Sequence, residues 1–209
     1  MADTEICDTV EPATGDALAG LILSAEAGWN QNEADWRFFL SEGVVFGIRD
    51  GARLAATAAL LPYSAGNAWI SMVLVTSDFR RRGIATKLVD ACLAAAAQRG
   101  LTTWLDATPA GATVYGPLGF TPTLQLRRLR LQKASGAMAA RPLSACSLET
   151  LIACDAGAIG FDRTLLLSEF SVRAGSRIVS SADAVALIRD GRTARHIGPL
   201  LADDADQAL

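Results

Sequence analysis

Histidine is almost missing from this chain. Of 209 residues one is histidine, His196, and four are cysteine: Cys7, Cys92, Cys146 and Cys154, with no pair at C-x-x-C spacing. This excludes a zinc centre of the usual kind, and no metal is expected. Cys92 falls inside an apolar helical stripe and reads as packing, and His196, far along the chain, reads as structural. No apolar run reaches about 18 residues, and the acidic N-terminus has no apolar signal core, so neither a membrane span nor a leader is expected. The expected compartment is the cytoplasm, with free thiols. Charge of one sign is also lacking. Nineteen basic and 22 acidic residues leave −3, which excludes a surface built for polyanions. The run Arg80-Arg81-Arg82 is the local exception, and three charges are too few for nucleic acid. A G-x-x-x-x-G-K-[ST] loop and a G-x-G-x-x-G fingerprint are both absent, which excludes the usual nucleotide-triphosphate and dinucleotide cradles.

What is present is ample apolar material, 51% of the chain. The length fits one full domain and a smaller or incomplete second one. A short strand is expected at Ile6–Val10, then turn residues over Glu11–Gly15. Asp16 is the expected N-cap of a helix reaching about Trp29, with Leu18, Leu21, Ile22, Ala25 and Trp29 on its buried face. A second helix covers Glu33–Leu40. The period then changes. Val44–Arg49 and Arg53–Leu61 flank an Asp50-Gly51 pair, a strong hairpin signal because these residues tolerate positive φ. Pro62–Asn67 is a loop, Trp69–Thr76 a strand, and a long helix runs from Gly83 to about Gln98 with Gly100 just past its end. Leu101–Thr108 reads as a strand, Pro109–Tyr115 as a short helix, Gly116–Phe120 as a turn and Thr121–Leu131 as a strand.

This is a mixed α/β (α+β) pattern, and it defines a first domain over residues 1–132. The small residues Lys133–Arg141 mark a linker at 133–142. A partial α+β unit follows over 143–209, with helices expected at Leu143–Ile152 and Asp162–Ser168 and strands at Ala184–Arg189 and Thr193–Leu201.

The segment Ser71–Ala96 carries the chemistry. A strand ends at Val75, a polar turn follows, and Gly83 with the small Ala85 opens a helix. A helix N-terminus exposes unpaired amides and a partial positive charge, a natural seat for a diphosphate. Gly83 lets backbone and anion approach, and the arginines add positive potential.

Arg80-x-x-Gly83-x-Ala85 after Val73-Leu74-Val75 resembles the acyl-CoA motif of the GNAT N-acetyltransferase superfamily. A second match lies in Thr108–Phe120, where Tyr115 stands five residues before the phenylalanine of Leu118-Gly119-Phe120. The two together cover about residues 44–131. The chain departs from many members at Thr108, where asparagine is common, and at Gly111, where alanine is. That variant, with Trp29-Asn30-Gln31 and Asp35-Trp36 upstream, resembles a bacterial subgroup with a second, degenerate acetyltransferase-like domain. Gly160–Arg163 and His196–Ala208 resemble parts of it. Its closing elements are missing, so a truncated chain is expected.

The resemblance implies a mixed GNAT-type sheet flanked by helices and transfer of an acetyl group from acetyl-CoA (CoA) to an amine by direct attack. It implies that backbone groups of Val73, Leu74 and Val75 meet the pantetheine arm, that Arg80, Arg81, Arg82, Gly83, Ile84, Ala85 and Thr86 hold the diphosphate, and that an amide at Val75 or its neighbour stabilises the oxyanion. Tyr115 is the candidate acid for the leaving thiolate, against a packing role. Its ordinary pKa near 10 makes it a better donor than base. Asp106 is a candidate base, against a cap for the Pro109 helix. Glu33 and Asp35 are further acceptor-side candidates, and a water chain would serve as well. Trp29 and Trp36 are assigned to the acceptor pocket, against the core. The expected partner is a small-molecule amine, with no nucleic acid and no membrane, and a homodimer stays open. The rivals are a non-catalytic acyl-CoA-binding or regulatory module on the same fold and a purely structural interaction protein.

Overall fold

The structure is a computed structural model and describes residues 12, 14–125, 129–130, 142–181 and 184–204. The chain divides into two compact units, Met1–Thr123 and Leu124–Leu209. The expected strand at Ile6–Val10 and nearly all of the expected linker lie outside the described residues.

The first unit is a four-stranded sheet between two helical layers. After a 3-10 turn at Thr14–Asp16 come α1 (Ala17–Glu26), α2 (Glu33–Glu42), β1 (Val44–Asp50), β2 (Arg53–Pro62) and β3 (Asn67–Val75). A 3-10 turn at Ser77–Phe79 leads into α3 (Ile84–Gln98), then β4 (Thr102–Leu105), α4 (Pro109–Tyr115) and a 3-10 turn at Gly116–Leu118. The strand order is β1-β2-β3-β4, with β1, β2 and β3 antiparallel and β3 parallel to β4. Only a crossover can join parallel neighbours, and α3 is that crossover. β2 is buried from Leu54 to Leu61 because helices cover both faces, so it reads as an unbroken apolar run. Ile84, Leu88, Val89, Cys92 and Ala96 of α3 pack on one face. Leu23 and Trp36, from α1 and α2, pack on the other.

Asp16 is the N-cap of α1 by position, as expected, although its side chain makes no cap bond; its carboxylate pairs with Arg49 instead. Two expectations fail in this unit. The buried face of α1 is only partly the expected one: Leu21 and Trp29 pack against the core, but Leu18 and Ile22 are exposed while Ala17, Gly20, Leu23 and Ser24 are buried. The cause is Trp36. A Cβ at Gly20 would lie 2.3 Å from its ring, and the indole N–H donates to Ser24 Oγ at 2.7 Å. The helix therefore presents the small residues Gly20 and Ser24 to that indole. Finally, 121–125 form no strand, and 126–128 and 131 lie outside the described residues.

β3 changes faces part-way. Ala59 pairs with Ser71 but Thr57 pairs with Leu74, so β3 carries one extra residue. Met72 sits there with φ 52°. The pleat before this bulge sends Ala68 and Ile70 to the α3 face, and the pleat after it sends Met72 and Leu74 to the α1 face. Val73 and Val75 thereby join the α3 side. The bulge takes a carbonyl out of the ladder, and the buried Thr57 hydroxyl donates to it, at Met72 O, at 2.8 Å.

The second unit has β5 (Ser144–Ala145), α5 (Leu148–Ile159), α6 (Thr164–Ser171), β6 (Arg177–Ser181), β7 (Ala184–Asp190) and β8 (Arg195–Ala202) in an antiparallel sheet ordered β5-β6-β7-β8. Leu151, Leu167 and Leu187 are its core. Asp155, 1% exposed, is held by Arg163 through two hydrogen bonds of 2.9 and 2.5 Å. The helix expected over Leu143–Ile152 starts later, at Leu148 with Ser147 capping Thr150, because Ser144–Ala145 pair with β6. β6 itself was not anticipated.

Candidate active site

β3 and β4 run side by side only from Asn67↔Thr102 to Ile70↔Leu105. β4 then ends, and Asp106–Thr108 continue exposed towards α4. β3 goes on to Val75 with β2 as its only partner among the described residues. The strands part at this point, and the far edge of Ser71–Val75 presents unladdered main-chain groups. The same strand delivers the chain into the turn that precedes α3.

α3 begins at Ile84 with Gly83 as its N-cap in the left-handed region, φ 74°, and no side chain caps it. The first amides of the helix are therefore open to a ligand. Glycine is needed at 83 for its φ. A Cβ there would meet nothing within 4 Å, so there is open space around Gly83 itself. Arg81 also has positive φ, 61°, and is exposed. Ile84 is buried in the core and offers the site its amide alone, while Ala85 and Thr86 are half-buried on the first turn.

The three arginines do not act alike. Arg80 Nε donates to Val75 O at 3.0 Å, so its guanidinium folds back on the strand end. Arg82 donates to Asp78 O at 2.8 Å and lies 5.0 Å from the centre of the Phe79 ring. These two shape the turn. Arg81 is the one exposed guanidinium of the three with no such tie among the described contacts.

Tyr115 ends α4 and is half-buried in the cluster that holds Val73, Val75, Leu105, Leu118 and Phe120 against α3. It is thus on the α3 face of the sheet, the face to which the bulge turns Val73 and Val75. Phe120 meets its ring edge-on at 6.1 Å. Burial pushes the phenol above the usual tyrosine value. Gly111 explains how the ring lies so close to its own helix: a Cβ at 111 would stand 2.8 Å from Tyr115 Cε2. The α4 cap is Thr108, whose hydroxyl accepts from the Gly111 amide at 3.1 Å. Asp106 therefore does not cap α4, and it lies exposed just beyond β4.

The acceptor-side residues divide. Asp35 is 2% exposed and closes a capping box, its carboxylate accepting the Asn32 amide at 3.0 Å while Asn32 accepts that of Asp35 at 3.1 Å. Trp36 is 1% exposed in the core. Neither lines an open pocket, and their assignment to one is corrected on burial. Glu33 pairs with Arg37 one turn on. Trp29 is half-buried on the α1–α2 side. Cys92 is a core thiol, and burial pushes its pKa up to about 12. His196 is exposed on β8 of the second unit.

Sequence reasoning missed Thr57, Glu26, Thr76 and Arg53. Thr57 carried a signal, being the lone polar residue in a buried apolar run. The other three meet across the fold and carried little.

Among the described residues no helix is long and apolar enough to cross a membrane. Residues 19–120 match the model of the acetyltransferase (GNAT) family. A search of curated proteins finds no match. Solved structures do match. A Pyrococcus horikoshii protein assigned as an acetyltransferase is 18% identical over 100% of this chain and 75% of its own, with a TM-score of 0.74. A Staphylococcus aureus protein assigned as an acetyltransferase is 14% identical over 65% of this chain and 98% of its own, TM-score 0.51. The ribosomal-protein-alanine N-acetyltransferase of Escherichia coli is 19% identical over 56% of this chain and 79% of its own, TM-score 0.51. At these identities the likeness is one of fold.

Proposed function

We propose, from the premise that residues 19–120 are an acetyltransferase domain of the GNAT family, that this chain moves an acetyl group from acetyl-CoA to an amine. One observation carries the reading: β3 parts from β4 after Ile70 and leads, through the Thr76–Gly83 turn, to a helix start whose N-cap is a glycine. An unladdered strand edge suits the amide-bearing pantetheine arm. A free helix N-terminus beside it suits a diphosphate. The residues present therefore fit the group, with the amides of Gly83–Thr86 and the exposed Arg81 on the phosphate side and main-chain groups of Val73–Val75 on the arm.

When bound, acetyl-CoA supplies an acetyl group activated as a thioester. The chain's own part is to hold, polarise and protonate. A main-chain amide near Val75 donates to the oxygen that becomes negative as the amine attacks. Tyr115 donates a proton towards the departing sulfur, and its raised pKa keeps that proton on the phenol at neutral pH. Asp106, exposed at the mouth of the parting strands, or a water chain relays the proton lost by the attacking ammonium.

The acceptor we propose is a small-molecule amine and the compartment the cytoplasm, with no nucleic acid or membrane partner and a homodimer open. We read residues 143–209 as a partial, degenerate second domain of the same type. The test is calorimetric titration with CoA, then an amine panel read by thiol release. The panel includes peptides with N-terminal alanine, the residue named for the E. coli neighbour. Saturable CoA binding with thiol release on at least one amine is expected. No CoA binding sinks the reading, and binding without release on any amine leaves a CoA-binding module in its place.

A further inference from the structure

Glu26 closes α1, yet its carboxylate serves the turn between β3 and α3. One oxygen accepts the Ser77 amide at 2.7 Å and the other accepts the Thr76 hydroxyl at 2.7 Å. Arg53 of β2 donates to the same hydroxyl at 2.7 Å and stands 3.7 Å from the carboxylate. Arg80 stands 3.9 Å from it while bonded to Val75 O. Asp78 balances Arg53 from the other side at 3.5 Å.

Ser77 is the first residue of the 3-10 turn, and Thr76 is its N-cap by position. The Thr76 side chain makes no cap bond of its own; its hydroxyl donates to Glu26 and accepts from Arg53. A carboxylate from α1 therefore does, from across the fold, what an N-cap does locally. It also stands within ion-pair distance of two guanidiniums, Arg53 and Arg80. What it holds is the hinge between the strand's last carbonyl and the helix's first amides. The tilt of that hinge decides where the diphosphate sits relative to the edge of β3.

We propose that Glu26 is a positioning residue that locks the Thr76–Arg82 turn in its anion-accepting form, and so sets affinity for the diphosphate half of the acyl donor without touching it. This rests on the acetyltransferase reading. The lock has a pH signature. The Thr76 hydroxyl first, then the Ser77 amide and Arg53, hold the Glu26 carboxyl below the ordinary carboxylate value. The lock is thus fully present above that ordinary value and lost as pH falls through the lowered one. Arg53, Arg80 and Asp78 are the charged groups facing it.

The test uses the full chain with Glu26→Ala and Glu26→Gln, titrated calorimetrically with CoA and with pantetheine, which has the arm but no diphosphate. Glu26→Ala is expected to weaken CoA about tenfold, the scale of one lost cap, and to leave pantetheine unchanged. Glu26→Gln keeps an acceptor for Ser77; it is expected to fall between, and to bind CoA with a flatter acid limb than wild type. Equal weakening of both ligands, or CoA binding unchanged in both variants, overturns the proposal. Should Glu26→Ala not fold, the acid limb of Glu26→Gln decides alone, and a limb identical to wild type overturns it. No CoA binding by the wild type refutes the transferase reading itself, whereas wild-type binding with unaltered variants refutes only the role of Glu26.

Discussion

Gly83 is where backbone conformation and ligand charge can be separated by two substitutions. Its φ is 74° and a Cβ there meets nothing within 4 Å. Alanine is therefore strained but not crowded. A left-handed non-glycine residue costs about 1–2 kcal/mol, which lowers the melting midpoint of a unit this size by about 4–8 °C. Glutamate carries the same strain, so the two variants should melt within a degree or two of each other, about as close as such comparisons resolve. They should bind CoA very differently. A carboxylate about 6 Å from a phosphate, at an effective dielectric near 20, is repelled by about 3 kcal/mol. Side-chain swing and salt cut that to about 2 kcal/mol, a factor of about 30. The assay is calorimetric CoA titration of Gly83→Ala and Gly83→Glu at low and at high salt. The expected gap of about 30-fold should shrink as salt rises. A Gly83→Glu protein that binds within about threefold of Gly83→Ala at low salt would refute the claim that the start of α3 seats an anion.

Tyr115→Phe should lower kcat about 100-fold, with KM for acetyl-CoA little changed, as expected for loss of a general acid. In wild type the phenol's raised pKa puts loss of the donor above the ordinary tyrosine value, so kcat should hold through neutral pH and fall only in strong alkali; an unchanged kcat in Tyr115→Phe removes the assignment. Gly111→Ala sets helix propensity against ring placement. It favours α4 by up to about 1 kcal/mol, yet puts a methyl 2.8 Å from the Tyr115 ring, so melting should rise or hold while kcat falls, and wild-type kcat would contradict the placement. Thr57→Val should destabilise by about 1–3 kcal/mol, because it orphans the Met72 carbonyl at the bulge. Thr57→Ser should restore most of that in denaturant unfolding, and equal loss in both variants would point to packing instead.

Elements with local punctuation were legible. Pro109 at the first position fixed α4, whose ends at Pro109 and Tyr115 agree with expectation. Asp50-Gly51 fixed the hairpin, where Gly51 takes φ 56°. Gly83 marked the start of α3. What failed depended on partners. Periodicity put Leu18 and Ile22 in the core, but Trp36 needed the small face of α1. The same indole drew Trp36 into the core and away from any pocket. No glycine announces the bulge, since Met72 takes its positive φ with its side chain buried. Short edge pairing hid β5 and β6, where the expected helix at Leu143 ran over a two-residue strand. Glu26 did leave a trace. An acidic residue in the last helical turn opposes the helix dipole, and such a local conflict marks a residue with a task elsewhere.

That conflict has a structural reason in how β3 is held. Its far edge has to stay extended although, among the described residues, no strand pairs with it beyond Ile70. A strand in that position would be free to fray or to recruit another edge. Three devices prevent this, each on a different side. The bulge anchors Met72 and Leu74 in the α1–α2 core while Val73 and Val75 rest on the α3 side, so the strand is gripped through both faces at once. Thr57 closes the bulge from β2. Glu26 and Arg80 fix the exit, one through the Ser77 amide and the other through the Val75 carbonyl. The open edge is therefore held from several sides, an arrangement that would spare a ligand much of the cost of ordering it. It follows that damage to the grip and damage to the chemistry should separate. Thr57 and Glu26 variants should act on affinity and stability, and Tyr115 variants on kcat. A Tyr115→Phe protein that loses CoA affinity as strongly as Glu26→Ala would mean that the phenol is part of the grip and not the proton donor.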